Sequence, residues 1–457
     1  MAPRKINPIK NIKIPENYNN DISSLIDKED ISATRWWENF NDDALNKTVD
    51  KVIENNLDLK LAVLRVESME SQFKIVRGSR LPAISTTGNY SKSEGPVTEM
   101  EFSQSGMETS QSIQETEMYS LRTGLRFELD IWGKLRSNHK SAVETFKASK
   151  ADLRTVYIGI ISQAIILHYD IEAQLREVEI SKKNLASAKY NYEISQKKYK
   201  MGIVPKTSLE MSKQAHNNFI SKLERDKQLL DMKNNQLSIL MGEYPENFEK
   251  TGSIENNFLP EMIKIPVHIP STLLKTRSDI VSSAHNLEAA RQQVGAAFAA
   301  FFPSISITAA ANFASLSFDD LFNELSLTKT IAGEATEVIF AGGSKVASYK
   351  LKKVQYEQAV LNYKKTVLNA FQDVEDALKN LEFAKINQKA AEGNMISAKS
   401  VFKISDQKYK FGVINYSQLL DSERNMLSML SASNSADKAL IAARVQLHSA
   451  LGGEWIK

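Results

Sequence analysis

There is no cysteine among the 457 residues. That excludes a disulfide framework, a thiolate metal site and a cysteine nucleophile, and it leaves the redox compartment open. Glycine (18) and proline (11) are scarce, which favours long uninterrupted helices over a loop-rich fold. A large charge of one sign is also missing. The net charge is +3, with no basic stripe interleaved with aromatics, so nucleic acid is not an expected partner. Catalytic signatures are absent as well. The six histidines (139, 168, 216, 268, 285 and 448) show no metal-ligand spacing. Ala341-Gly342-Gly343-Ser344-Lys345 lacks the spacing of a phosphate loop. The expectation is a protein that is no enzyme and needs no cofactor or metal.

No segment reads as a membrane helix. Gln292 to Phe318 is free of charge, but Pro303 interrupts it and Ser304 to Thr308 alternates polar with apolar. A helix end followed by a strand is expected there. The opening Met1-Ala2-Pro3-Arg4 shows no apolar signal region. Hydrophobic residues at 42% and charged residues at 25% are ordinary for a folded protein.

The strongest positive feature is an internal repeat. Tyr192 to Ser212 (YEISQKKYKMGIVPKTSLEMS) and Phe402 to Ser422 (FKISDQKYKFGVINYSQLLDS) share eight identities in 21 positions, at an offset of 210. The same offset aligns Gly133 with Gly343 and Met241-Gly242 with Leu451-Gly452. Upstream, Leu81-Pro82-Ala83-Ile84-Ser85 echoes Phe302-Pro303-Ser304-Ile305-Ser306. Two copies of one structural unit follow. Each copy has a helix (roughly 57–80 and 272–301), two strands, a very long helix (roughly 135–200 and 344–410), a turn, and a returning helix (207–240 and 417–451).

In Tyr119 to Asp130, Tyr119, Leu121, Thr123, Leu125, Phe127 and Leu129 fall on one side. Arg122, Arg126, Glu128 and Asp130 fall on the other. Ile305, Ile307, Ala309, Ala311 and Phe313 repeat the alternation. Charges at successive positions of one face suit a barrel around an aqueous lumen better than a soluble sheet. The fourth strand, roughly 328–340, is weaker, with Lys329 and Glu337 on its expected outer face. Ser93 to Met118, with six glutamates and no basic residue, is expected to be a solvated loop.

The long helices carry apolar residues at three- and four-residue steps, for example Val143, Phe146, Leu153, Tyr157, Ile160 and Ala164. At about 1.5 Å per residue each spans roughly 100 Å, and such a helix must pack along a partner throughout. Four strands cannot close a membrane barrel, and open edges in lipid are forbidden. Two, three or four protomers would have to supply eight, twelve or sixteen strands. A soluble coiled-coil scaffold explains the helices but not these strands. A periplasmic adaptor shows one hairpin and a lipoyl-like β domain, whereas two hairpins and no such domain are read here.

The sequence resembles the TolC family of outer-membrane channels, in the lipoprotein branch that serves multidrug efflux pumps. Trp36-Trp37-Glu38-Asn39-Phe40-Asn41-Asp42 with Leu45 matches the family's opening pattern. Asn56-Leu57-Asp58-Leu59 with Ala62 and Arg65 matches its first helix. Ile269-Pro270-Ser271-Thr272-Leu273-Leu274-Lys275-Thr276-Arg277-Ser278-Asp279-Ile280 matches its central signature, with Ser278 for the usual proline. The resemblance runs from about residue 12 to 453. It implies a mainly α chain with membrane β: a homotrimer with a 12-stranded outer-membrane barrel, four strands per protomer, a periplasmic helical tunnel and a mixed equatorial domain. Residues 1–56 and 243–271 would be equatorial. Residues 57–242 and 272–452 would be the two repeats, with strand pairs at about 83–130 and 304–340, and residues 453–457 a tail. The branch carries a lipid on an N-terminal cysteine. That anchor is expected on the parent protein, its Cys being absent here.

The resemblance also implies function by residue. The turns at Met201, Gly202, Ile203 and Val204 and at Phe411, Gly412, Val413 and Ile414 would dock a periplasmic membrane-fusion adaptor, which links to an inner-membrane RND transporter. Asp421 and Gln418 match positions of an acidic periplasmic gate, with Glu210 and Arg424 as weaker candidates. Leu121, Leu125, Phe127, Ile305 and Ile307 would face outer-membrane lipid. A passive exit duct for drugs, bile salts and other toxic compounds is expected. An outlet for type I protein secretion is the alternative within the channel reading.

Overall fold

A computed structural model describes residues 35–103, 106–245 and 277–453. The expected equatorial linker beyond Pro245, the start of the central signature and the N-terminal 34 residues lie outside them. The chain divides into two compact units.

The first unit, residues 67–148 with 284–362, holds one antiparallel sheet in the order β1-β2-β3-β4. The strands are β1 (Ala83–Ser103), β2 (Gly106–Leu129), β3 (Ser304–Ser315) and β4 (Leu327–Thr336). β1 and β2 pair without a break from Ala83↔Arg126 to Ser103↔Gly106. The expected loop at 93–118 is therefore corrected: it is the outer part of a long hairpin. Its polar composition does mean solvation, and the described side chains from Ser91 to Glu94 are exposed. A ladder needs only paired main-chain groups, however, and Ser and Thr interleaved with Val, Ile and Met suit extended backbone. The fourth strand also ends earlier than expected, at Thr336. Lys329 is on it, while Glu337 lies past its end and pairs with Lys345 at 2.6 Å.

Asp130 couples sheet to helix. Its carboxylate accepts from the backbone N–H of Leu135 (2.9 Å) and of Arg136 (2.7 Å), satisfying two orphan donors at the start of the long helix. The preceding Gly133 has φ +77°, a conformation open to glycine.

The second unit comprises residues 35–66, 149–245, 277–283 and 363–453 of the described chain. Its helices are α1 (Asp43–Asn55) and α2 (Leu57–Gly78), which runs on into the first unit, with α3 (Lys134–Lys200) and α4 (Lys206–Leu240). They are followed by α5 (Ser278–Ala299), most of which belongs to the first unit, then α6 (Ser344–Lys410) and α7 (Tyr416–Ala450); α3 and α6 each begin in the first unit. α3 and α6 are both 67 residues and α4 and α7 both 35, each pair starting 210 apart. One core joins Trp37, Leu45, Val49 and Val52 to Ile161 and Ile165 of α3, Leu237 of α4, and Ile441 and Val445 of α7. A second packs Val374 and Leu378 of α6 on Leu447 and Leu451. Arg277 ties these ends together, donating to Asp373 (2.6 Å), Asp279 (2.8 Å) and the carbonyls of Ala370 and Ala450.

Candidate functional site

The register sorts the sheet into two chemically distinct faces. Residues directly opposite in an antiparallel ladder share a face. Leu125 stands between Ile84 and Ala309, Leu121 between Gly88 and Phe313, and Phe127 beside Ile307. Ile305, opposite Leu129, belongs to the same face, as does Ile331 opposite Ala309. Lys329, opposite Ala311, is its one charge across β3 and β4. The other face carries Ser85, Thr87, Asn89, Ser120, Arg122, Arg126, Glu128, Ser306, Thr308, Asn312, Thr330 and Glu334.

Aromatic clusters mark both ends of the apolar face. Near the helix junction, the Trp132 indole donates to the Pro303 carbonyl (2.8 Å) and stacks on Phe302, centroids 4.9 Å apart. At the far end Tyr90 meets Tyr119 (4.9 Å), Tyr119 meets Phe318 (5.7 Å), and Phe313 meets Phe322 (5.7 Å). Ten residue steps separate Tyr119 from Leu129. That is roughly 33 Å along a strand, and about 25 Å in depth at a tilt near 40°, the height of a bilayer's apolar band. Among the described residues β1 and β4 each have one neighbour only, so both edges of this sheet are open there. In lipid those edges must be paired.

The two helical hairpins turn in the same way. Gly202 and Gly412 both have φ +71°. The N–H of Ile203 reaches Lys198 O and that of Val413 reaches Lys408 O, both at 2.9 Å, while each glycine N–H bonds the carbonyl three residues back. This closes the last helical turn and throws the next side chains outward. Met201, Ile203, Phe411 and Val413 are 64–84% exposed, an unusual amount of apolar surface, while Val204 and Ile414 are half-buried.

Asp421 and Glu210 are exposed and Arg424 is half-buried. The repeat pairs Asp421 with Met211, not with Glu210, whose equivalent is the buried Leu420. Gln418 caps its own helix. Its Oε1 accepts from Asn415 N–H (3.1 Å) while Asn415 Oδ1 accepts from Gln418 N–H (3.0 Å), a reciprocal closure of the start of α7. The Asn415-x-x-Gln418 spacing is the sequence signal for it. Nearby, Tyr416 packs against Tyr190 (5.5 Å) and Tyr409 (5.6 Å). Burial, with those tyrosines and Glu423 adding to it, pushes its hydroxyl up to about 12. Ser187 Oγ donates to Glu423 (2.5 Å), joining α3 to α7.

Sequence reasoning missed one polar cluster because its members are 126 residues apart. Asp42 Oδ1 accepts from Ala44 and Leu45 N–H, capping α1, while Oδ2 lies 3.3 Å from Nε2 of the buried His168. Glu172, one turn along α3, places a carboxylate oxygen 3.7 Å from the same nitrogen. Burial would raise the Asp42 pKa, but the imidazole and the two backbone donors outweigh it and hold the carboxyl below its ordinary value. The three ligand-type atoms lie within 4.8 Å of one another. Here they fasten the Trp36–Trp37 segment to α3.

A sheet with one apolar and one polar face, aromatic ends and open edges, joined to paired 67-residue helices, is an arrangement seen in known proteins. The outer membrane efflux protein family matches residues 48–243 and again 269–453. The chain belongs to that family. The double match follows the internal repeat. The toluene efflux pump outer membrane protein TtgC of Pseudomonas putida is 28% identical over 430 residues, covering 93% of this chain and 87% of that protein. The cation efflux system protein CusC of Escherichia coli is 26% identical over 449 residues, covering 97% and 93%. The crystal structure of the Campylobacter jejuni CmeC outer membrane channel superposes with a TM-score of 0.83 at 26% identity, covering 97% and 94%. This family member is an outer-membrane efflux channel that extends into the periplasm, and it is not an enzyme. The fold is that of the trimeric channels, in which three four-stranded sheets close one barrel above a helical tunnel.

Proposed function

We propose that this channel is the exit duct of an RND-type multidrug efflux pump, passing drugs, bile salts and other toxic compounds from the periplasm to the outside. The observation that carries the reading is the two-faced sheet with open edges: lipid outside, water inside, closed only by copies of itself. Leu121, Leu125, Phe127, Ile305 and Ile307 are the lipid-facing set.

The exposed apolar turns at Met201–Val204 and Phe411–Ile414 dock a periplasmic adaptor, and through it the inner-membrane transporter. The symmetry of the two closures supports this. Both hairpins present the same Gly-apolar edge, so a trimer offers six related sites. The gate lies on α7, where three copies of Asp421 surround the threefold axis. A narrow ring of carboxylates attracts cations and resists close approach of its own members. Arg424, about one turn on, can pair with it, Glu210 contributes from the first hairpin, and Gln418 fixes the start of the gating helix.

The duct is passive, and the pump supplies energy. Relatives of near-equal identity are named for toluene and for cations, so the transported class cannot be taken from either name. Deleting the gene and testing drug, bile-salt and dye sensitivity decides the assignment. Increased sensitivity supports it, and unchanged sensitivity to all three rejects it.

A further inference from the structure

The polar face of the sheet carries charge in a pattern that the exit-duct reading does not use. Arg122 and Arg126 point from β2 to that face, two inward positions apart and therefore roughly 13 Å from each other. Their register neighbours are neutral: Thr87 and Asn312 for Arg122, Ala83 and Thr308 for Arg126. Both are exposed, and among the described residues neither makes a hydrogen bond or ion pair. The two acids on the same face, Glu128 and Glu334, flank Ser306 nearer the helix junction. Glu128 pairs with Lys134 at 3.1 Å, and Glu334 accepts from the Thr336 hydroxyl at 2.9 Å. Just past β4, Glu337 pairs with Lys345. With Glu128 paired to Lys134 and Glu334 left as a single acid, the two arginines leave this wall net positive, and they sit on the stretch of β2 nearer the hairpin end than Glu128.

Three protomers place six such guanidiniums around one lumen. Twelve strands about 4.8 Å apart, tilted near 40°, enclose a backbone circle roughly 24 Å across. Arginine side chains reach inward by several ångströms. Every point of the lumen at that level then lies within about one Debye length, roughly 8–10 Å, of a guanidinium. Low-dielectric walls focus such a field. Arginine also presents a planar donor fork suited to carboxylates, sulfonates and phosphates.

We propose that Arg122 and Arg126 form a cationic band in the barrel that binds anionic head groups, making the membrane-spanning stretch of the duct a recognition site for anionic solutes. This rests on the channel reading, because the polar face must be the lumen.

The test is block of single-channel current in a planar bilayer by inositol hexakisphosphate, a compact polyanion, added to the side the extracellular mouth faces. The wild-type trimer is expected to be blocked in about 0.1 M salt, and the block to fade towards 1 M as screening shortens the field. The double variant Arg122→Gln/Arg126→Gln is expected to bind the blocker at least about tenfold more weakly, as several modest exposed charge pairs are lost together. Arg122→Lys/Arg126→Lys retains the charge and should retain most of the block. A wild-type pore of normal conductance that inositol hexakisphosphate does not block, or equal block of the glutamine variant, overturns the cationic band while leaving the channel standing. Failure to form any pore overturns the channel reading and the band together.

Discussion

Replacing Leu125 with arginine tests the facing of the sheet most severely. Leu125 lies on a central strand between Ile84 and Ala309, six residues from Tyr119 and four from Leu129. At about 3.3 Å per residue and a tilt near 40° it is roughly 15 Å and 10 Å in depth from the two ends of the apolar band, close to the midplane. Arginine on a lipid face at that depth costs about 2–4 kcal/mol. Three copies per barrel raise this to roughly 6–12 kcal/mol, comparable to the whole stability of many folded domains. Ser120→Arg, nearer the end of the band, is the control for arginine on the polar face. It is on the same strand but its side chain has the opposite facing, since successive residues alternate. It should cost under about 1 kcal/mol. The assay is folding into lipid vesicles from urea, read by the heat-sensitive gel shift of the assembled trimer. Leu125→Arg should lose assembly, and Ser120→Arg should assemble like the wild type. Normal assembly of Leu125→Arg would refute the facing outright.

Asp421→Ala should raise single-channel conductance and weaken cation selectivity; unchanged conductance would remove Asp421 from the gate. Gly242→Ala should destabilise more than Gly202→Ala in denaturant unfolding. Both have positive φ, near +70°, worth about 1–2 kcal/mol to an L residue, but only at Gly242 would the new Cβ meet a backbone oxygen, that of Asn55, at 2.6 Å. Equal losses would show that the contact is relieved. Asp42→Ala should cost about 1 kcal/mol or more, through loss of the α1 cap and of the partner of buried His168. Because the folded-state pKa of Asp42 is lowered, its contribution is full above the ordinary value of 3.8 and disappears as pH falls through the folded value. The difference between wild type and Asp42→Ala in unfolding free energy should therefore shrink only below about pH 4, and a difference that instead grows on acidification would contradict the assignment.

Much of this molecule is legible in its sequence, for identifiable reasons. The 210-residue offset predicts the matched long and returning helices because length and period are written locally, and the glycines at 133, 202, 343 and 412 mark turns because their positive φ admits little else. The alternation from Tyr119 to Leu129 is legible for the same reason. The hairpin beyond Tyr90 is not. Its ladder sets Glu94 opposite Glu115, an unfavourable pair that no propensity argument would choose. Lys92, reaching Glu115 at 2.8 Å, offsets part of that repulsion. Glu337 falls inside the expected strand and outside the actual one because period-2 alternation does not announce where pairing stops. The Asp42–His168 contact is set by tertiary packing alone. Gln418 is a different case: its place near Asp421 suggests a gate, and its capping geometry is written locally in Asn415-x-x-Gln418.

The most direct test of the central claim is planar-bilayer conductance of detergent-extracted protein, with its mass determined in the same detergent. A trimer that forms small, cation-selective pores is expected. A monomer soluble without detergent, or a protein forming no pore under any condition, would contradict it.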